Sequence, residues 1–200
     1  MKSDERRRQI LEHAKALFSR RGYHNTQISD IIASAGIARG TVYQYFTGKE
    51  DIFTSLMREY YARWVKSISI DTHRIDLKSI TPLEYFRFRV SNTLTFLAND
   101  PELCNIVLRM GTGLSGELSA AARRFEKKIL GLITDDLRLG VRSGAVRKDI
   151  DIDIFANLIV GAVLKTAHYF FVERKSNRDA ESIAKMSDTI VSAFAPSLFS

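Results

Sequence analysis

The feature that most limits the fold of this chain is an apolar spacing of three to four residues that recurs along almost its whole length. Alternating apolar and polar residues, the pattern typical of strands, are nearly absent. The chain has only three prolines, at positions 82, 101 and 196, and we expect each of them at a helix end. The spacing therefore predicts an all-α protein.

The helix boundaries follow from glycines and capping residues. The first apolar stripe contains Ile10, Leu11, Ala14, Leu17 and Phe18. We expect Gly22 to close this helix, Thr26 to act as the N-cap of a short second helix, and Gly36 to end that helix. The buried face of the second helix is predicted to be Ile28, Ile31, Ile32 and Ala35. A third short helix covers 38–46, and a fourth runs from Lys49 toward Lys66.

Beyond an aperiodic connector at 67–80, the same criteria predict five further helices. They are placed near 82–98, 101–110, 116–143, 150–174 and 179–195. Asp100 is expected to cap the helix that begins at Pro101. Gly140 and Gly144 are expected to mark the end of the long helix.

The charge of the chain is concentrated in its first third. The formal net charge is +7, and residues 1–66 contain 12 Lys and Arg against 7 Asp and Glu. Such an excess favours an anionic partner for this part of the chain. Charge alone does not distinguish nucleic acid from an anionic membrane surface.

Cysteine content and apolar run lengths indicate a cytoplasmic protein without a membrane partner. Cys104 is the only cysteine, which excludes an intrachain disulfide and a thiolate metal cluster. The N-terminus lacks the apolar segment of a signal peptide. The longest apolar run, 154–164, is too short to span a bilayer and ends at Lys165. The four histidines show no metal-ligand spacing, so we predict neither a metal nor a cofactor.

The segment "GIARGTVYQYF" at 36–46 has the layout of a helix that reads DNA. On a helical wheel Val42 and Phe46 point together toward a core, whereas the small or polar residues Gly40, Thr41 and Gln44 lie opposite. Tyr43 and Tyr45 fall on the two flanks. A thin polar ridge can approach base edges in a major groove, and flanking phenols can bond to phosphates. Two short helices around Gly36 are the helix-turn-helix arrangement.

The segment Ile10–Phe53 closely resembles the N-terminal domain of tetracycline repressor-like (TetR-type) transcriptional repressors. The matched features include the first-helix stripe, Gly22-Tyr23, Ala35-Gly36, "GTVY" at 40–43 and Lys49-Glu50. The resemblance implies an N-terminal three-helix helix-turn-helix domain, which we place at 1–48, and a C-terminal all-helical effector-binding and dimerisation domain at 49–200. One departure is Ala38, where the family often has a serine N-cap.

The resemblance also implies a function and a DNA-facing surface. We expect a repressor that binds a palindromic operator as a homodimer and is released by a small-molecule effector of unknown identity. Recognition helices of such a dimer enter successive major grooves about 34–36 Å apart. The DNA-facing set is Thr26, Gln27, Arg39, Gly40, Thr41, Tyr43, Gln44, Tyr45 and Lys49.

The C-terminal part offers candidates for a dimer interface and for a pocket. Its last two helices are expected to form a four-helix bundle with those of a second copy; the alternative is that both complete the core of a single chain. The interface candidates are Phe155, Gly161, Ala162, Ile183, Met186, Ile190 and Phe194. Apolar walls with a few polar groups are typical of small-molecule sites. The pocket candidates are Tyr60, Trp64, Arg89, Asn92, Phe96, Cys104, Arg109, Asn157, Lys165 and His168. If Arg89 or Lys165 points inward, we expect an anionic or carbonyl-bearing effector.

Two other functions stay open at this point. An architectural DNA-binding protein would have the same basic N-terminal domain but little sequence preference. A nucleotide-dependent enzyme could use "GTGLSG" at 111–116, a formal dinucleotide-binding motif. That motif requires a strand at 104–110 inside a parallel sheet, and the sequence provides no second strand to pair with it.

Overall fold

The structure is a computed structural model that describes residues 3–70, 80–110 and 116–199 of the chain. Every regular element within these ranges is helical, so the all-α prediction is confirmed. In chain order the helices are α1 (Ser3–Arg21), α2 (Ile28–Ala35), α3 (Arg39–Tyr45), α4 (Lys49–Ile68), α5 (Pro82–Asn99), α6 (Pro101–Met110), α7 (Gly116–Ser143), α8 (Ile152–His168) and α9 (Ala180–Leu198). A π-helical turn, Tyr169–Glu173, extends α8.

Side-chain caps explain where most of the C-terminal helices begin. The hydroxyl of Thr81 accepts a hydrogen bond from the backbone N–H of Glu84 at the start of α5. Asp100 accepts from the N–H of Leu103 and so caps α6, as its position before Pro101 predicts. Asp151 and Asp179 cap α8 and α9 in the same way. These bonds satisfy N–H groups that have no partner within the helix.

The structure differs from three of the predicted boundaries. Thr26 is not the N-cap of α2, because its hydroxyl donates to the carbonyl of Gly22 and Gln27 takes the cap position. Helix α8 ends at His168 rather than at 174, since its backbone changes to π-helical bonding there. Pro196 lies inside α9 instead of beyond its end. A proline in the last turn costs one backbone hydrogen bond, which α9 tolerates.

One continuous core joins the N-terminal helices to the rest of the chain. Phe18, Phe53 and Tyr23 form a cluster of edge-to-face and tilted rings between α1 and α4. The same core continues through α4 to Leu94 of α5 and Phe171 beyond α8. A second cluster, around Leu137 and Ile159, closes the far end of α7, α8 and α9.

A close approach of two backbone segments ends the long helix α7. The carbonyl of Gly140 accepts hydrogen bonds from the N–H groups of Ala145 and Val146. A Cβ atom at position 140 would lie 2.5 Å from a methyl carbon of Val146, so only glycine allows this return. Gly144 adopts a left-handed conformation with φ +77°. Both glycines therefore mark the end of the helix, as predicted.

Helix α8 and the π-helical turn that follows it form a long apolar segment. Ile152–Glu173 is long and apolar enough to cross a membrane by length and composition. The apolar run at 154–164 thus belongs to a longer apolar segment than the run itself indicates. In the fold one side of α8 packs against α5, α6, α7 and α9. Its residues Ala156, Val163 and Ala167 are buried in these contacts.

Candidate functional site

The helix-turn-helix unit is formed by α2, a turn at Gly36 and α3. Gly36 adopts a left-handed conformation with φ +63°, and its N–H donates to the carbonyl of Ala33. A residue with a Cβ atom adopts this conformation at a cost, which explains the glycine. Ile31 of α2 and Val42 of α3 are fully buried against α1 and α4 and hold the two helices together.

Helix α3 presents the predicted polar ridge to solvent. Val42 and Phe46 are 0% and 2% exposed, whereas Tyr43 is 43% exposed. Gly40 and Gln44 are exposed on the same outward side, and Thr41 is partly exposed. Ala38 precedes the helix without any side-chain cap, consistent with the missing serine. The result is a short helix with buried anchors and an outward face free to lie in a groove.

Aromatic and basic side chains flank this ridge. The Arg39 guanidinium lies 5.6 Å from the centre of the Tyr43 ring, a cation–π contact that places a positive charge beside an exposed phenol. Tyr45 on the other flank is partly buried and packs against the core. Gln27 is exposed at the start of α2, where its N–H donates to the carboxylate of Asp30. A phosphate at this helix end therefore has to compete with Asp30.

Two residues of the predicted DNA-facing set have structural roles. Thr26 is 0% exposed, its hydroxyl donates to Gly22 and its N–H donates to the carbonyl of Tyr23. No group of Thr26 is left for a phosphate, so its assignment as a direct contact is corrected. Lys49 directs its ammonium to the carbonyls of Tyr23 and Thr26, at 2.9 and 2.7 Å.

Lys49 also lies over an aromatic ring of the same unit. Its ammonium is 4.1 Å from the centre of the Tyr23 ring. Burial lowers the pKa of Lys49, and the nearby carboxylate of Asp30 only partly offsets this. Lys49 therefore ties α4 to the turn before α2. This bonding leaves one of its three ammonium N–H groups for DNA.

A large cavity lies in the C-terminal part of the chain. Its volume is about 700 Å³, which lies within the range of small-molecule sites. Its walls come from α4, α5, α6, α7 and α8, together with the C-terminal end of α9 and Phe199, and they are mainly apolar. The apolar residues include Ile68, Phe86, Val90, Leu97, Val107, Ile129, Ile133, Leu137, Val146, Ile159, Val163, Leu164 and Phe199.

Among the residues that the structure describes, one charged cluster interrupts these apolar walls. Arg89 of α5 forms an ion pair with Asp136 of α7, with 2.7 Å between Nη2 and Oδ2. The guanidinium also donates to the hydroxyl of Tyr85, which in turn donates to Asp136. Burial raises the pKa of Asp136, while the charge of Arg89 acts in the opposite direction. Burial likewise raises the pKa of Tyr85.

The structure brings three of the ten predicted effector residues to the cavity. Tyr60, Trp64 and Arg89 line it, and the indole N–H of Trp64 donates to Thr93. The other seven are not among the lining residues. Asn92 and Asn157 donate to carbonyls of their own helices, and Phe96 packs on Tyr60. Lys165 is exposed and pairs with Glu173.

The remaining predicted effector residues belong to contacts between helices. Arg109 donates to the carbonyl of Ser19 at the end of α1. His168 donates from Nε2 to the amide oxygen of Asn105. Cys104 is completely buried, and burial raises the pKa of its thiol to about 12, which makes it a poor nucleophile. Arg109 and His168 are therefore wrong as cavity residues, because their polar groups bond to a neighbouring helix instead of facing the cavity.

Asp136 also lines the cavity, although it is not among the residues predicted from the sequence. Asp136 lies 47 positions from Arg89 in the chain, and only the tertiary fold brings the two side chains together. Tyr85 and Arg89, four residues apart on one helix face, were the available local signal.

The predicted dimer residues divide into buried and accessible groups. Ile183 and Ile190 are buried in the core of the chain, so their assignment to an interface is corrected. Gly161 is exposed, and Phe155, Ala162, Met186 and Phe194 are partly buried. The large exposed apolar residues of α8 are Ile154 and Leu158, at 57% and 51%. They border a shallow groove that also includes Gly161, Ala162 and Phe194.

The structure also bears on metal and nucleotide binding. Among the described residues no group of three or more His, Cys, Asp or Glu side chains is placed to hold a metal ion. Residues 104–110, where the nucleotide-dependent enzyme requires a strand, belong to helix α6. Residues 111–115 of the glycine motif lie outside the described residues, and Gly116 begins α7.

The fold and the site together define a helix-turn-helix regulator of transcription. Residues 10–56 match the family model described as bacterial regulatory proteins, tetR family. The chain is 30% identical over 159 residues to the fatty acid metabolism regulator protein of Bacillus subtilis (strain 168), covering 79% of each chain. This chain belongs to the TetR family of bacterial transcriptional regulators.

Solved structures show the same fold over nearly the whole chain. The fatty acid degradation regulator FadR from Bacillus halodurans has a TM-score of 0.75 and 25% identity, covering 96% of this chain and 97% of that one. FadR from Bacillus subtilis in complex with stearoyl-CoA has a TM-score of 0.77 and 24% identity, with coverages of 95% and 98%. At 24% identity, the similarity to the B. subtilis FadR structure shows only that the two chains share a fold.

Proposed function

We propose that this chain is a cytoplasmic, non-enzymatic repressor that binds a palindromic operator as a homodimer and leaves it when a small molecule fills the cavity. One observation carries the proposal. The chain combines an exposed recognition helix on buried anchors with a separate, mainly apolar cavity of about 700 Å³. An architectural DNA-binding protein has no need for the second feature.

The DNA-binding domain comprises residues 1–48, and residues 49–200 form the effector-binding and dimerisation domain. Gln44 reads a base edge, and Thr41 and Gly40 allow the backbone to approach the groove. Phosphates are contacted by Arg39, Tyr43, Tyr45 and Gln27. Lys49 contributes chiefly by holding α4 against the turn before α2, through its bonds to two carbonyls.

Two copies pair through the exposed faces of α8 and α9. Ile154, Leu158 and Gly161 lie on one side of α8, spaced four and three residues apart. Isolated exposed apolar residues are common, but two large ones beside a groove and a glycine form a surface that a second helix can cover. An isologous contact here relates the two copies by a two-fold axis, which matches the symmetry of a palindromic operator.

The effector is an apolar small molecule. The cavity walls are mainly aliphatic and aromatic, and hydrophobic burial supplies most of the affinity of such sites. The B. subtilis FadR structure contains stearoyl-CoA, so this fold is able to hold a molecule with a long apolar chain. A fatty acyl derivative is therefore the first class of effector to test.

Effector binding reaches the recognition helices through α4 and α6. Helix α4 spans about 30 Å and lines the cavity with Tyr60 and Trp64, while its Phe53 packs in the DNA-binding domain. Asn105 of α6 donates to the carbonyl of Ser19 in α1 at 2.9 Å. An effector that binds better to a second arrangement of these helices shifts the dimer toward it.

The test begins with an operator selected from random DNA by the purified protein. We expect fluorescence anisotropy to show binding to this operator at least about 1,000-fold tighter than to random DNA. Arg39→Ala should weaken binding to the operator and to random DNA alike. It should also reduce the slope of log K against log salt by about 1, because one phosphate contact is lost. Equal affinity for operator and random DNA would support the architectural protein and overturn the repressor.

A further inference from the structure

Two charged residues and one tyrosine that line the cavity form one cluster, which we call the polar triad: Tyr85, Arg89 and Asp136. The guanidinium Nη1 lies 3.1 Å from the Tyr85 hydroxyl, and Nη2 lies 2.7 Å from Asp136. The side chains of Arg89 and Asp136 are 17% and 32% exposed. All three residues face the cavity. The triad is therefore a polar site inside an apolar chamber.

The triad lies midway along the cavity. Helix α5 lines the cavity from Pro82 to Leu97, and Arg89 stands about 10 Å from the first and about 12 Å from the second along the helix axis. Helix α7 lines it from Ile129 to Ser143, with Asp136 at the centre of that range. A ligand that fills the cavity therefore has apolar surface on both sides of the triad.

The charges of the cavity wall cancel. Arg89 and Asp136 are the only charged residues that line the cavity among the described positions, and they are paired with each other. A carboxylate placed here would have to displace Asp136 from Arg89 or remain unpaired. Either outcome leaves an uncompensated negative charge in an apolar site, which is strongly unfavourable.

An uncharged oxygen can use the triad without breaking it. A guanidinium has five N–H groups, and the contacts to Tyr85 and Asp136 involve two of its nitrogens, so N–H groups remain to donate to a carbonyl. Asp136 has lone pairs to accept from a hydroxyl. Such bonds add to the existing contacts rather than replacing them.

We propose that the cavity selects molecules with an uncharged carbonyl or hydroxyl oxygen on an apolar skeleton, bound at Tyr85, Arg89 and Asp136, and rejects free carboxylates. This inference rests on the proposed function and narrows its effector class. Of the two effector classes expected from the sequence, it keeps the carbonyl-bearing one and departs from the anionic one, because the inward-pointing Arg89 is already paired with Asp136. A carbonyl or hydroxyl within an acyl derivative and one on a ring system both satisfy this chemistry.

Trp64 provides the measurement. It is the only tryptophan of the chain and lines the cavity, so ligand binding changes its fluorescence without interference from other indoles. The probes are decan-5-one, decan-1-ol and decanoate, which share a skeleton length and differ in the oxygen function. Cyclododecanone tests whether a carbonyl on a ring system also binds. We expect the ketone or the alcohol to bind the wild-type protein at least about tenfold tighter than decanoate.

Asp136→Asn is the decisive variant, since it keeps the shape of the side chain and leaves the charge of Arg89 unpaired. We expect its preference to reverse, with decanoate tighter than the ketone. Asp135→Asn is the matched control, because the neighbouring Asp135 pairs with Arg138 and does not line the cavity. Arg87→Gln, on α5 but paired with Asp188 outside the cavity, is a second control. Both controls should keep the wild-type order.

The outcomes separate this inference from the proposed function. Decanoate binding tighter than the ketone to wild type, or an unchanged order in Asp136→Asn, overturns the selection of uncharged oxygen. If decanoate alone also releases operator DNA, the repressor stands and the present inference fails. If no probe alters Trp64 fluorescence or operator binding, both the triad site and the cavity as effector site are overturned.

Discussion

At the residue scale, function depends on which side chains are already occupied within the protein. Gln44 and Tyr43 project from α3, and the anchors Val42 and Phe46 that hold the helix are buried. Thr26 and Lys49 instead bond to backbone carbonyls around the turn before α2. A position in a DNA-binding motif can therefore serve to shape the reading surface rather than to contact DNA.

The clearest residue-scale prediction concerns Gln44. Gln44→Ala should relax base preference at one operator position by about 1–3 kcal/mol, because a glutamine that bonds to a base edge discriminates among bases and alanine does not. Anisotropy titrations with single-base operator variants measure this change. Gln27→Ala, which removes a proposed phosphate contact, should weaken all DNA to a similar degree. Equal loss on operator and random DNA for Gln44→Ala would contradict base reading.

At the element scale, α1 is fastened to the C-terminal helices by buried polar contacts. Lys15 of α1 pairs with Asp100 at the junction of α5 and α6, with 3.1 Å between ammonium and carboxylate, and both side chains are nearly buried. Asn105 adds its bond to Ser19. These contacts join α1, the first helix of the DNA-binding domain, to α6 and the residue before it. Helix α6 in turn lines the cavity with Val107.

Breaking the pair should destabilise the fold. Lys15→Met should lower the free energy of unfolding by about 3 kcal/mol, because the carboxylate of Asp100 is left buried without its cation. Urea denaturation measures the loss, and the double variant with Asp100→Asn should recover part of it. Lys66→Met, at an exposed position of α4, should change stability by no more than about 0.5 kcal/mol. A loss for Lys15→Met as small as that of the control would contradict the role of the pair.

The same pair predicts a dependence on alkaline pH. Burial by itself would lower the pKa of Lys15, but hydrogen bonds and the charges of Glu12 and Asp100 outweigh it and raise the pKa above its ordinary value of 10.5. The charged lysine is thus favoured in the folded state. Its contribution to stability is complete below pH 10.5 and is lost as pH rises through the folded-state pKa.

At the scale of the whole molecule, an operator-binding dimer needs a self-complementary surface. The exposed face of α8 is the proposed one, because Ile154, Leu158 and Gly161 border a groove between α8 and α9. The apolar residues Ile183 and Ile190 of α9 are buried in the core and stabilise each copy instead.

Leu158→Lys should convert the dimer to a monomer, since two lysines would face each other across a symmetric apolar contact. We expect light scattering to show half the mass and operator affinity to fall by about 100-fold or more. Leu83→Lys is the control, because Leu83 of α5 is also an exposed apolar residue, at 38%, and lies outside both the proposed interface and the cavity lining. A dimeric Leu158→Lys protein would place the interface elsewhere.

The sequence by itself determined most of the helices and the outward polar face of α3. Both depend on local periodicity, capping and turns, which act over a few residues. The predicted helix boundaries differ from the structure at Thr26, at Pro196 and at the end of α8. Only the tertiary structure decided that Arg89 pairs with Asp136 and that Lys165 and His168 do not face the cavity. It also decided that Ile183 is buried in the core whereas Leu158 is exposed to solvent. The physical reason is that an apolar or polar position on a helix can face any neighbour. The choice is made by the packing of helices that are distant in the chain.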